Sequence, residues 1–331
     1  MIQKRIHTTS LVLSRVKQAI RRGNIKLKGW YGMWGQDSHL LHLACLRGNT
    51  AIAELLIENG TEVDSLDAES HTALHYAPNT HVVRFLLQKG ANVNAADDSG
   101  VTSLCSLLRW RSWALETWST EPNVAGGGGA LDPSHTVQDV SGAIRFLIQE
   151  AGANIYAQRS WDSHPLRWAI SAENTEGVKL LLQAGAPTNP INPSTGQRIL
   201  LLKEALANKE TLEIVNMLLD AGAEVEPDEF PLKEYHTQVP IIILISFAKR
   251  SPEVQVNIAH RICKRIRDIN ADIGGETTLF YYLYAMRMDI AKVIIQYGAE
   301  WKHRRSEFDE ATWKELLGDS YEQPEEVENQ E

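Results

Sequence analysis

One phrase keeps returning along the chain. Gly90-Ala91-Asn92-Val93-Asn94 closes an apolar run, and four relatives of it follow: Gly152-Ala153-Asn154-Ile155, Gly185-Ala186-Pro187-Thr188-Asn189, Gly222-Ala223-Glu224-Val225 and Gly298-Ala299-Glu300-Trp301. Gly60-Thr61-Glu62-Val63-Asp64 is a weaker copy upstream. Self-similarity at a period near 33 residues specifies a stack of small units, each covering its neighbour, rather than one closed core. Such stacks offer long surfaces, and they serve binding more readily than catalysis.

The runs before each glycine have helical spacing. Ile52, Leu55 and Leu56 fall at i, i+3 and i+4, as do Val178, Leu181, Leu182 and Ile214, Met217, Leu218. A glycine just past each run suits the left-handed residue that ends a helix. Small residues in the preceding runs, Ala44, Ala77 and Ala169, let paired helices approach closely. The chain is therefore expected to be all-α.

Each period also has a characteristic opening. Leu41-His42-Leu43-Ala44 and Leu74-His75-Tyr76-Ala77 lie 33 residues apart, and a second apolar run follows each one. His164-Pro165-Leu166-Arg167 keeps the Pro-Leu pair of that opening, and Val239-Pro240-Ile241 keeps only the proline and an apolar neighbour. Together these features resemble the ankyrin repeat over residues 37–301. The resemblance implies an ankyrin-type helical solenoid with short β-hairpin tips. Seven candidate repeats follow, their second helices ending at Gly60, Gly90, Gly152, Gly185, Gly222, about Arg267, and Gly298. It implies that the histidine of Leu-His hydrogen-bonds between neighbouring repeats. It also implies that partners are bound through the hairpin tips and a groove lined by the first helices.

Four segments depart from the pattern. Residues 1–36 carry eight Lys or Arg and no acid, and read as a basic N-terminal cap or arm. A mitochondrial presequence, or a surface for nucleic acid or acidic lipid, are alternative readings of the same composition. Residues 109–136 are an insertion: Trp110, Trp113 and Trp118, then Gly126 through Gly129, with no apolar periodicity over 119–136. Ser306-Glu307-Phe308-Asp309 looks like a helix start, so a capping helix over about 307–317 is expected, within a terminal segment 302–318. The acidic tail 319–331 is expected to be disordered.

The composition excludes several classes of function. A net charge of −9 argues against nucleic acid as a partner, since phosphate contacts need clustered Lys and Arg. No stretch of about 18 apolar residues exists to span a membrane. Cys45, Cys105 and Cys263 have no paired spacing, which suits a reducing compartment, cytoplasmic or nuclear. No catalytic, cofactor-binding or metal residues are expected. His39, His42, His71 and His75 lack a Cys or carboxylate to complete a zinc-like set, and Gly126–Gly129 lacks the Lys-Ser/Thr of a phosphate loop. No small-molecule substrate or cofactor follows.

What remains is a non-enzymatic scaffold or adaptor for a protein partner. The alternative is the recruiting arm of a regulatory complex, a transcriptional co-regulator or a ubiquitin-ligase adaptor. The candidate binding residues lie at the tips: Asp67 and Glu69, then Asp97 and Asp98, then Arg159 and Trp161. Trp161 is the expected anchor, and the four acids form a rim that favours a basic partner segment.

Overall fold

The recurring glycines sit where the backbone turns left-handed. In the computed structural model Gly60, Gly90, Gly152, Gly185, Gly222 and Gly298 all have φ between 70° and 94°, two or three residues past a helix end. The structure describes residues 30–32, 35–38, 40–109, 133–156, 164–192, 196, 198–207, 212–225, 245, 251–270, 272–273, 276–301 and 306–318. The chain divides into two compact bodies, Met1–Ile199 and Leu200–Glu331.

The N-terminal body opens with an antiparallel pair, β1 (Trp30–Gly32) and β2 (Gly35–Ser38). Helix pairs follow. α1 (Leu40–Leu46) leads to α2 (Thr50–Glu58), and a 3-10 turn (Ala73–Tyr76) leads to α3 (Thr80–Gln88). A helix that includes residues 103–109, called α4, precedes α5 (Pro133–Gln149). α6 (Pro165–Ser171) leads to α7 (Thr175–Gln183). α1 packs on α2 and on the 3-10 turn, α3 on α5, α5 on α7, and α6 on α7. The core is the sum of these contacts. Leu41, Ala53, Leu56, Leu74, Val82, Leu86, Leu104, Ile144, Leu147, Leu166 and Leu181 are all buried.

Asparagine starts the second helix of a pair three times. Asn49, Asn79 and Asn174 accept the backbone N–H of Ile52, Val82 and Gly177 through their side-chain oxygens, at 3.1, 2.9 and 2.8 Å. Each satisfies one of the donors that a helix start leaves open. Asn174 also donates to the Leu108 carbonyl at 3.2 Å, tying α7 to α4. That junction is tight. A Cβ on Gly177 would fall 2.6 Å from Leu108 Cδ2, so only glycine fits without displacing a buried leucine.

Two boundaries in the N-terminal body differ from the sequence expectation. The opening helix expected at Leu74-His75 is a single 3-10 turn. Ala77 precedes Pro78, whose ring drives the residue before it out of the helical region, and Ala77 sits at φ −74°, ψ 108°. The expected insertion 109–136 overlaps α5, which begins at Pro133, a first-turn position where the missing N–H costs nothing.

In the C-terminal body α8 (Leu201–Ala207) pairs with α9 (Leu212–Asp220). α10 (Pro252–Cys263) packs on α12 (Met288–Gln296). Of the expected sixth opening helix, only Ile245 is described; it is helical and buried. A hairpin of β3 (Asp272–Ile273) and β4 (Glu276–Thr277) leads into α11 (Thr278–Tyr284), which packs on α12. The last helix, α13 (Glu310–Leu317), lies against α12. It is capped by Asp309, whose carboxylate accepts Thr312 N–H at 2.8 Å, not by Ser306. Among the described residues, no helix is long and apolar enough to cross a membrane.

Candidate functional site

The loops after the second helices hold most of the polar chemistry of the N-terminal body, and much of it joins one repeat to the next. His42 Nε2–H donates to the His71 carbonyl at 2.9 Å, and His75 Nε2–H donates to the Val101 carbonyl at 3.1 Å. His75 Nδ1 accepts the Thr72 N–H at 3.1 Å. Its two bonds fix one neutral tautomer, and burial pushes its pKa down to about 4. The histidines are thus inter-repeat ties.

A second tie runs beside them. Asp64 accepts the backbone N–H of Asn92 at 3.0 Å, and Asn94 Oδ1 accepts that of Asn154 at 2.7 Å. In the C-terminal body Asn270 Oδ1 accepts that of Glu300 at 2.7 Å. Asp64 and Asn94 both stand four residues after the helix-ending glycine, and Asn92, Asn154 and Glu300 stand two after theirs. Sequence reasoning missed this clip, although the recurring Asn or Asp was its visible signal. Asn94→Ala should lower the unfolding free energy of the N-terminal body by about 1–2 kcal/mol, because the Asn154 N–H loses its acceptor. Tyr156→Ala, at the same repeat position but without that bond, should change it by less than about 0.5 kcal/mol. Denaturant titration of the two variants separates the cases.

The acidic rim expected from the sequence divides in two. Glu69 and Asp98 are exposed. Asp67 and Asp97 turn inward and are occupied. Asp67 Oδ1 accepts the N–H groups of Glu69 and His71, each at 2.9 Å, and Oδ2 accepts the Tyr76 hydroxyl at 2.7 Å. Asp97 repeats the turn, its Oδ1 accepting Ser99 and Val101 N–H at 2.8 Å each. Burial disfavours charge on Asp67, but the bonds from His71, Tyr76 and the backbone outweigh it and hold the carboxyl far below its usual range.

His71 stands between the two loops. Its Nε2 is 3.3 Å from Asp97 Oδ2, and its Nδ1 is 3.7 Å from Asp67 Oδ2 and 3.4 Å from Glu69 Oε2. Asp67 beside it is the largest influence. With Asp97 and Glu69 it outweighs burial and raises the His71 pKa. Protonated His71 therefore bridges carboxylates of successive loops.

The outer helices carry matched charges. Lys89 pairs with Glu54 at 2.8 Å, Arg84 with Glu150 at 3.1 Å and Arg145 with Glu176 at 2.8 Å, each across a repeat junction. Exposed pairs of this kind add little stability. They do cancel the charge of that face. The cysteines are buried, and burial pushes the thiols of Cys45, Cys105 and Cys263 up to about 12, 11 and 12, so none is a ready thiolate. Among the described residues no group of three or more His, Cys, Asp or Glu could hold a metal ion. Arg159, Trp161, the insertion tryptophans and residues 1–29 lie outside the described residues.

Helix pairs clipped to their successors through loop side chains define a stacked-repeat protein. Residues 16–104 match the family model of ankyrin repeats in 3 copies, and the described residues share the ankyrin-repeat fold. Similar solved structures agree in fold. The human ASB11 ankyrin repeat domain aligns with a TM-score of 0.52 and 16% identity, over 80% of this chain and 100% of that one. The ankyrin repeat domain of Bcl-3, a member of the IkappaB protein family, aligns with a TM-score of 0.50 and 21% identity, over 78% and 97%. Among curated proteins, the human transient receptor potential cation channel subfamily A member 1 is 25% identical over 58% of this chain and 18% of its own length. The ADP-ribosylation factor GTPase-activating protein AGD4 of Arabidopsis thaliana is 33% identical over 21% of this chain and 9% of its own length. The ankyrin repeat domain-containing protein SAT10 of Stachybotrys chartarum is 27% identical over 56% and 11%. The matched stretches thus span under a fifth of these curated relatives. Ankyrin repeats are in general protein–protein interaction modules.

Proposed function

We propose that this chain is a non-enzymatic scaffold or adaptor that holds a protein partner along its loop tips and the adjoining groove. One observation carries the reading: Asp67 and Asp97 turn inward and hold their own loops, while the exposed charges left at the tips, Glu69 and Asp98, are acidic. From Gly60 to Thr102 the loops carry Glu62, Asp64, Asp67, Glu69, Asp97 and Asp98, and neither Lys nor Arg. Their field favours a basic segment, and Glu69 and Asp98 are the exposed acids of the proposed rim. Arg159 and Trp161 extend the proposed site along the chain.

The test uses the full chain and a Glu69→Lys/Asp98→Lys variant as baits in affinity purification with mass spectrometry. Partners held at the tips should be depleted from the variant eluate. Their association with wild type should slow as salt is raised. An identical partner set from both baits would remove the acidic tips from the interface. Recovery of the subunits of a ligase or a promoter-bound assembly would make the chain a recruiting arm.

A further inference from the structure

In the N-terminal body the inter-repeat clip is missing between the loops that follow Gly152 and Gly185, and both halves are missing together. Asp64 reaches Asn92 and Asn94 reaches Asn154. At the next step the acceptor position, four residues after Gly152, holds Tyr156, which has no carboxyl or amide oxygen to offer. The donor position, two residues after Gly185, holds Pro187, which has no N–H to give. Restoring one alone would gain nothing.

The tyrosine is instead turned outward. Tyr156 is 55% exposed, although its backbone N–H keeps the local turn by donating to Asn154 Oδ1 at 2.8 Å. On the following loop Ile191, in the bridge to Arg198, is 60% exposed. On an earlier loop Leu66 is 53% exposed, at the same place as Ile191, six residues after the helix-ending glycine. Between them Ala96 occupies that place on its own loop. Large apolar groups at loop tips contribute nothing to stacking and cost solubility.

We infer that Leu66, Tyr156 and Ile191 form an apolar row across the tips that receives one extended segment of another protein, apolar at the Tyr156–Ile191 end and basic at the Leu66 end. The inference rests on the proposed binding role and adds the partner's chemistry. Stacked helices lie about 10 Å apart, and an extended chain advances about 3.3 Å per residue. Each step from loop to loop then takes about three residues, and the whole row about ten. Charge fixes the direction of the segment. Glu62 and Glu69 are exposed on the loop of Leu66, and Asp98 on the loop of Ala96. Lys or Arg in the partner is attracted at the first end. Phosphate-bearing partners are repelled by the acids along the first loops.

The test is selection of phage-displayed random 12-residue peptides on the immobilised full chain. Enriched peptides should be net positive, carry apolar residues toward one end and basic residues toward the other, and bind a Tyr156→Ser/Ile191→Ser variant at least tenfold more weakly in fluorescence anisotropy. Both substituted side chains are exposed, so the variant should keep the wild-type circular dichroism and melting curve. Peptides that bind the variant as tightly as wild type, or that are acidic, overturn the row while leaving a protein-binding role elsewhere on the chain intact. A library that enriches nothing on folded wild type overturns both.

Discussion

Trp313→Ala should cost the C-terminal body about 3–5 kcal/mol, the range for removing a large aromatic side chain from a packed site. Trp313 is 1% exposed and Leu316, one turn later, is 7% exposed. The indole ring centroid lies 5.1 Å from that of Trp301 and 6.0 Å from that of Phe308, edge-on to the latter. Phe308 in turn stacks on Phe280 of α11 at 6.2 Å. The helix is short and makes its living from this one face, since eight residues have little helical stability alone. Hydrogen exchange is the direct measurement. Amides of α11 and α12 should exchange about two to four orders of magnitude faster in the variant, because the opening free energy falls by the same amount. Deleting residues 319–331 should leave those amides unchanged. Equal protection in Trp313→Ala and wild type would mean that α13 is not the cover of this end.

How far the sequence reached depends on the kind of signal. Helix ends were legible because Gly90 and its relatives answer a backbone demand that few other residues meet. The role of His42 and His75 was legible through resemblance, and the structure supplies their acceptors, the carbonyls of His71 and Val101. The inward turn of Asp67 and Asp97 was not legible. An aspartate in a polar loop looks solvated until the N–H groups two and four residues ahead are seen to point at it. Its trace in the sequence is faint: Asp67 and Asp97 are 30 residues apart, each three residues before a left-handed position, Ser70 at φ 63° and Gly100 at φ 84°. The shortened opening at Ala73–Tyr76 was visible in Pro78, whose effect on Ala77 is local and steric. The start of α5 at Pro133 was hidden by the lack of periodicity around it. The row of Leu66, Tyr156 and Ile191 was invisible, because exposure of an apolar residue depends on which way its loop faces.

Stability of the N-terminal body should peak near pH 6.5 and fall on both sides. On the acid side the cause is His75 and His164. His164 is 1% exposed, and burial pushes its pKa down to about 4, as it does for His75. Unfolded histidine titrates near 6.5. Between pH 6.5 and 4 the unfolded chain therefore binds protons that the folded chain refuses, and stability falls as pH falls, by about 1–3 kcal/mol per histidine. Above pH 6.5 this contribution is complete. His71 works in the opposite sense. Asp67, Asp97 and Glu69 raise its pKa, so its charged bridge is fully present below pH 6.5 and is lost as pH rises through the folded value. Asp67 itself keeps its charge throughout this window, since its pKa is depressed and its contribution is lost only in stronger acid. Urea titrations from pH 4.5 to 8.5 should show both limbs. His164→Leu should shallow the acid limb without touching the alkaline one, and His71→Gln should flatten the alkaline limb. An acid limb unchanged in His164→Leu would mean that this ring is not held neutral by its surroundings. A His71→Gln variant that still loses stability above pH 6.5 would show that the bridge between the Asp67 and Asp97 loops is not what titrates there.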